Sequence, residues 1–185
     1  TKTGQVFSAA ERYATGLRNA EGLALDAAGR LFATQHGRDQ LYQNWPRFYT
    51  AEQSAELPAE ALVEVGQGAD YGWPECYYDQ NQKKLVLAPE YGGDGGKTVG
   101  LCAQRRGPVA AFPGHWAPNA LAIYLGDKFP SGYRGGAFIA FHGSWNRAPL
   151  PQGGYNVIFQ PLVDGKASGP YVVFADGFDG GHKEP

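Results

Sequence analysis

Two His-Gly pairs stand out in this sequence, because each of them ends a similar apolar run. His36-Gly37 follows the run LFATQ, and His142-Gly143 follows the run AFIAF. A glycine after a histidine lets the backbone approach a ligand closely and leaves a carbonyl oxygen exposed. A single histidine is more often a hydrogen-bonded surface or core residue. Two histidines at equivalent positions favour a binding site.

The second pair opens the run HGSWNR, which is dense in groups able to bind a planar polyanion. Trp145 offers a flat face for stacking, Asn146 offers donors and an acceptor, and Arg147 can bind a carboxylate through two parallel hydrogen bonds. The alternative is a polar loop whose tryptophan packs on a neighbour.

Other chemistries find little support. The chain has no Gly-x-Ser-x-Gly and no Cys-x-x-Cys-His, and residues 92–98 lack the glycine spacing of a phosphate-binding loop, which predicts a surface loop. The net charge of −2 argues against a nucleic-acid partner. The apolar runs are too short for a membrane span.

The elements that must position these groups are predicted to be strands. The chain contains 27 glycines and 13 prolines, and its short apolar runs alternate with turn signals, which is typical of all-β proteins. Residues 26–30 predict a hairpin turn, and residues 51–61 predict the only helix. The predicted strands centre on residues 23–25, 31–34, 85–87, 121–124, 137–140, 155–159 and 171–174.

An internal repeat indicates the architecture. Residues 17–37 and 115–143 each contain an apolar run, a turn and a second run that ends in His-Gly. Repeated antiparallel units of this kind build β-propellers, so we expect residues 1–185 to form one partial β-propeller domain. A closed ring needs at least four blades, so the others are expected outside this chain. A β-sandwich with two similar hairpins is the alternative.

Loops at strand ends gather where a propeller binds its ligands, so we expect the polar groups near the repeats to share one pocket. With further blades absent, that pocket should be half open and its side chains exposed. The residues expected near the converging strand ends are Arg18, Asn19, His36, His115, His142, Asn146 and Arg147.

Two cysteines leave two readings open. Cys76 and Cys102 would form one disulfide in an exported protein and would be free thiols in a cytosolic one. The glycine-rich segment between them favours the disulfide, which could contribute about 3.5 kcal/mol of stability in the chain-entropy model.

Several runs, in this order, resemble the glucose/sorbosone dehydrogenases that carry pyrroloquinoline quinone (PQQ). Arg18 begins RNAEGLA, Ala33 begins ATQHG and Asp70 begins DYGWP. His115 to Tyr124, the YRGG run and the HGSWNR run are similar to the sorbosone dehydrogenase-like branch. The resemblance spans nearly the whole chain, and the ordered set is specific although each motif alone is weak.

The resemblance implies a six-bladed propeller with PQQ and calcium over its channel, of which this chain is a fragment. The implied PQQ contacts are Arg18, Asn19, His36, His115, His142, Trp145, Asn146 and Arg147. The backbone carbonyls of Gly37 and Arg38 are the implied calcium ligands, with Arg38 standing where family members often have proline. The family's catalytic base lies in an earlier blade, outside this chain.

The implied function is a PQQ- and calcium-dependent oxidoreductase that oxidises sugars or sugar aldehydes. Electrons would pass to a separate acceptor, either a cytochrome or a quinone, in the periplasm or outside the cell. Two alternatives remain. A calcium-dependent propeller hydrolase of the lactonase type would use carboxylates as metal ligands, and a non-catalytic binding module would expose aromatic patches without a convergent polar cluster.

Overall fold

The computed structural model describes residue 8 and residues 11–180, so the outer parts of the predicted 1–185 domain lie outside the described residues. Antiparallel strands dominate, which confirms the predicted all-β class. The strands are β1 (Ala20–Leu25), β2 (Leu31–Gln35), β3 (Glu60–Val65), β4 (Cys76–Asp79), β5 (Lys84–Leu87), β6 (Ala110–Phe112), β7 (Pro118–Ile123), β8 (Ala137–Phe141), β9 (Asn156–Gln160), β10 (Leu162–Val163), β11 (Lys166–Ala167) and β12 (Val172–Ala175).

The strands form two four-stranded sheets and two hairpins. The first sheet has the order β1-β2-β3-β6, and the second has the order β7-β8-β9-β12. The hairpins are β4-β5 and β10-β11. The predicted turn at residues 26–30 joins β1 to β2, and Asp26 stabilises it by accepting from the backbone N–H groups of Ala28 and Arg30, both at 2.9 Å.

The predicted helix at residues 51–61 is shorter than expected. Helix α1 spans Leu41–Asn44 and was not predicted, and helix α2 spans Ala51–Glu56. A capping box between Thr50 and Gln53 begins α2. Pro58 follows closely, and a proline cannot continue the helical hydrogen-bond pattern. Of the remaining predicted helix, residues 57–59 form a connection and residues 60–61 begin β3, a central strand of the first sheet.

The two sheets pack through their first strands, β1 and β7, so the two repeat units are direct neighbours. Gly22 on β1 approaches β7 so closely that an added Cβ would lie 2.8 Å from Leu121 Cβ. Thr34 is fully buried between the sheets, where its hydroxyl accepts from Gly22 N and donates to Pro118 O, both at 3.0 Å. The shared core contains Phe32, Leu62, Phe112, Ala137, Ile139, Phe141 and Ile158.

The two cysteines form a disulfide, Cys76–Cys102, so the reading as free thiols was wrong. Both cysteines are buried. Next to the bridge, Arg105 pairs with Asp70 at 2.7 Å and with Glu75 at 3.1 Å, so charges and a covalent bond fix the same loop. Within residues 11–180, we find no helix of the length and apolarity needed to cross a bilayer.

Candidate functional site

A cavity of about 610 Å³ opens where loops from several elements meet. It combines two tryptophans with guanidinium, carboxylate and amide groups, a mixture suited to a polar ligand with flat faces. Its walls include Arg18, Arg38, Asp39, Gln40, Gln43, Asn44, Ser54, Trp73, Pro74, Glu90, Tyr91, His115, Trp145 and Asn146.

Asp39 is the point at which three of the predicted residues converge. Its Oδ1 accepts from Asn146 Nδ2 at 2.7 Å and lies 3.1 Å from His115 Nδ1. Its Oδ2 lies 3.5 Å from Arg18 Nη2. The hydrogen bond from His115 is the largest cause that holds the pKa of Asp39 below its ordinary value. The carboxylate is therefore ionised at neutral pH.

His115 is buried in an arrangement that favours the protonated ring. Its Nε2 lies 2.8 Å from the Ser54 carbonyl, and its Nδ1 faces Asp39, so both ring nitrogens meet acceptors. Only the doubly protonated ring can donate to both. Burial alone would lower the pKa of His115, but the bonds to Asp39 and Ser54 raise it overall.

Arg18 lies between the first His-Gly corner and the cavity. Its Nη1 donates to the Gly37 carbonyl at 2.6 Å, and its guanidinium carbon lies 5.6 Å from the ring centre of Trp73. The DYGWP run thus supplies the tryptophan that covers this arginine. The Nη1 of Arg38 pairs with Glu90 Oε2 at 2.6 Å, in another part of the cavity wall.

Below the first corner lies a smaller cavity of about 130 Å³. Glu60 is only 2% exposed there, and its Oε2 accepts from Gly37 N at 3.0 Å. Burial raises the pKa of Glu60 to about 7, although the Gly37 hydrogen bond opposes the shift. His36 also lines this cavity, and its buried Nε2 has no hydrogen-bond partner. Burial lowers the pKa of His36, so this ring is neutral at pH 7.

Seven of the ten residues predicted for the cofactor and calcium line these cavities. They are Arg18, His36, Gly37, Arg38, His115, Trp145 and Asn146. Trp145 is 84% exposed at the rim, so it does not pack on a neighbour as the alternative reading required.

The other three predicted residues are placed differently. Asn19 is exposed and its Nδ2 donates to Glu21 Oε1 at 3.2 Å. His142 is exposed, and its Nδ1 lies 3.2 Å from the carbonyl of Gly143, its own neighbour. Neither side chain lines the two cavities described above.

Arg147 is buried and fixes the loop between β8 and β9 to other parts of the chain, and it does not line the cavity. It is 6% exposed, and its Nη1 donates to the carbonyls of Ala55 at 2.8 Å and Gly114 at 2.6 Å. Its Nη2 pairs with Glu56, and its Nε donates to Pro151 O at 3.2 Å. The expectation that all pocket side chains are exposed is thus wrong for Arg147 and for His115, which is 8% exposed.

A family model described as TrAA12-like matches residues 1–173. The chain belongs to the TrAA12-like family. This membership agrees with the resemblance to PQQ-dependent sugar dehydrogenases that the motifs carry. A curated relative, the pyrroloquinoline quinone-dependent pyranose dehydrogenase of Coprinopsis cinerea, is 31% identical over 161 residues.

Solved structures agree with the family. The holo form of the pyranose dehydrogenase PQQ domain from Coprinopsis cinerea is 25% identical, with a TM-score of 0.61 over 88% of this chain and 41% of that chain. The PQQ-bound aldose sugar dehydrogenase of Streptomyces coelicolor shares the fold, at 22% identity and a TM-score of 0.53 over 95% of this chain and 36% of that chain.

The TrAA12-like chain spans only part of these proteins. The match to the Coprinopsis cinerea pyranose dehydrogenase covers 79% of this chain but 21% of the relative. The chain therefore corresponds to about a fifth of that relative's length.

Sequence reasoning missed several residues of the site, among them Asp39, Glu60, Trp73 and Glu90. Asp39 follows the first His-Gly pair by two residues and Trp73 lies within DYGWP, so the motifs themselves are the signal that could have found both. Glu60 gave no signal, because it lay within the predicted helix. Glu90 acts only through its distant partners Arg38 and Trp45.

Proposed function

We propose that this chain is the PQQ-binding part of an oxidoreductase that oxidises sugars or sugar aldehydes. The observation that carries the proposal is the convergence of Arg18, Asn146 and Trp145 on one cavity. The two packed sheets then correspond to two neighbouring blades of a partial β-propeller. The similarity to PQQ-dependent pyranose dehydrogenase and to its PQQ domain supports this reading.

The residues present fit PQQ, a planar quinone with three carboxylates. Arg18 would bind a carboxylate, Asn146 would bind a polar edge, and Trp145 would stack on the ring system. The buried His36 Nε2 without a partner is an atom that a bound group would satisfy. When bound, PQQ would accept two electrons from the sugar or sugar aldehyde.

Calcium fits less directly. The Gly37 carbonyl, one of its two proposed ligands, accepts from the Arg18 guanidinium at 2.6 Å. A calcium ion and a guanidinium would repel each other at one oxygen, so this ligand is available only when Arg18 turns away. Residues 11–180 contain no cluster of three acidic, histidine or cysteine side chains that would hold a metal instead.

The remaining parts of the proposal concern other molecules. The catalytic base is proposed to lie outside this chain, and His115, whose two ring nitrogens both face acceptors of this chain, is not suited to that role. The electron acceptor is proposed to be a separate cytochrome or quinone. The disulfide supports a periplasmic or extracellular location, because such bonds persist in oxidising compartments.

The two alternatives are less well supported. The carboxylates that a lactonase-type hydrolase would need for calcium are engaged, since Asp39 pairs with His115 and Glu60 with Gly37 N. A non-catalytic binding module agrees with the exposed, adjacent rings of Phe174 on β12 and of Phe129 in the connection between β7 and β8. It does not explain the convergent polar cluster.

The decisive experiment titrates the protein, at its full natural length, with PQQ and then with calcium. We expect the quinone absorbance to change on binding, and the loaded protein to reduce a dye when a sugar is added. Binding of PQQ without sugar-dependent reduction would reject the dehydrogenase. The absence of any PQQ binding would reject the cofactor.

A further inference from the structure

Asp39 connects three segments that are distant in sequence. His115 and Asn146 lie 76 and 107 residues further along the chain, and Arg18 precedes the first sheet. One carboxylate thus contacts a loop of the first sheet, the connection between the sheets and a loop of the second sheet. Nothing in the sequence motifs assigned Asp39 a role.

The contacts leave the other polar atoms of these groups available. Arg18 uses Nη1 for Gly37 O and Nη2 for Asp39, so further N–H groups remain to bind a ligand. Asn146 donates its amide to Asp39 and keeps its carbonyl oxygen as an acceptor. His115 is fixed between Asp39 and the Ser54 carbonyl.

We propose that Asp39 is a positioning residue of the PQQ site: it holds the Arg18 guanidinium, the His115 ring and the Asn146 amide in the arrangement that faces the cavity. This inference rests on the proposed function. Asp39 need not touch the cofactor, because it acts through the three groups that it orients.

Charge repulsion alone predicts that removal of Asp39 strengthens the binding of PQQ, because a carboxylate in the wall of a cavity repels a polyanion. If Asp39 positions the three donors, its removal should weaken binding, because each donor then has to be ordered when the ligand binds. The sign of the change therefore separates the two roles.

The test compares Asp39→Ala with Asp39→Glu and with Glu64→Ala in the full-length protein. Glu64 is a matched control, since it is an ion-paired carboxylate on β3, joined to Arg106 at 2.9 Å, and lies outside both cavities. Calorimetry would measure PQQ affinity, and nitrogen-edited NMR would follow the His115 Nδ1–H signal without cofactor. If Asp39→Ala does not fold, Asp39→Asn replaces it, because it removes the charge at constant size.

We expect Asp39→Ala to bind PQQ at least about 10-fold more weakly and to lose the Nδ1–H signal, as for a hydrogen bond to a charged group. Asp39→Glu should restore part of both, and Glu64→Ala should change neither. Unchanged or stronger PQQ binding in Asp39→Ala would overturn the inference alone. A wild-type protein that binds no PQQ would instead overturn the proposed function, which the titration detects separately.

Discussion

The two His-Gly corners share one repeated pattern but have different surroundings. At the first corner, Glu60 lies beneath Gly37 and binds its N–H, and a cavity remains beside His36. At the second corner, the ring of Tyr155 fills the space beneath Gly143, where an added Cβ would lie 2.2 Å from it. The residue under each corner, rather than the corner itself, thus decides whether a histidine faces a cavity.

Glu60 and Tyr155, the residues beneath the two corners, occupy equivalent positions in their sheets. Glu60 precedes the residue that pairs with Gln35 on β2, and Tyr155 precedes the residue that pairs with Phe141 on β8. A carboxylate leaves room and offers an acceptor, whereas a phenol occupies the volume and donates its O–H to the Ser144 carbonyl. The same fold can therefore build an open corner or a closed one.

Arg147 should give the largest effect, because it fixes the loop after the second corner to Ala55, Glu56 and Gly114. Arg147→Ala would leave the Glu56 carboxylate and the buried carbonyls of Ala55 and Gly114 unpaired. We expect a loss of about 3–5 kcal/mol in the free energy of unfolding, measured by urea denaturation. The exposed Arg134→Ala is the control, and equal losses in both variants would refute the role of Arg147.

Glu60 should give the open corner a pH dependence that the closed corner lacks. Its pKa in the folded state is about 7, above the ordinary 4.5, so the unfolded chain ionises first as the pH rises. The free energy of unfolding should not depend on Glu60 below pH 4.5 and should fall between pH 4.5 and 7. Above pH 7 it should level off, after a total loss of about 3 kcal/mol.

Glu60→Gln tests this origin of the pH dependence, because the amide keeps an acceptor for Gly37 N without ionising. Its stability should stay flat over the pH range where the wild type loses stability, as followed by urea denaturation at each pH. Parallel curves for the two proteins would assign the pH dependence to other groups.

Substitutions of His36 and His142 should have the smallest effects, and their effects on PQQ affinity compare the two corners directly. His36→Ala should weaken PQQ binding by about 10-fold, because it removes a neutral ring whose Nε2 lacks a partner. His142→Ala should change the affinity less than about twofold, since its exposed ring contacts only the neighbouring carbonyl. Equal losses in the two variants would restore the expectation that both corners bind the cofactor.

Local signals predicted much of the fold. The turn at residues 26–30 and the strands around it were predictable, because Asp26 stabilises the turn through residues that lie close to it in sequence. Strand β3 was missed because residues 51–61 have helical composition and include the first two residues of the strand, although Pro58 separates these from the helix. Packing between the sheets, rather than propensity, decides that Glu60–Val65 is a strand.

The site was less predictable, because a motif shows which residues occur but not which way they face. Arg147 stood in the most informative run, yet its guanidinium binds carbonyls of the chain itself. Asp39 binds partners up to 107 residues away, and no local pattern reveals such a contact. The motifs thus predicted Arg18, His115 and Asn146, which meet at the cavity, but not Asp39, which connects them.

The Thr34 hydroxyl has a consequence for folding. It joins β1, β2 and β7 at a fully buried point, so separation of the sheets would break its bond to Pro118 and expose the core that the sheets share. The two sheets should therefore open together as one cooperative unit. Hydrogen exchange in the central strands of both sheets would then report a single opening free energy.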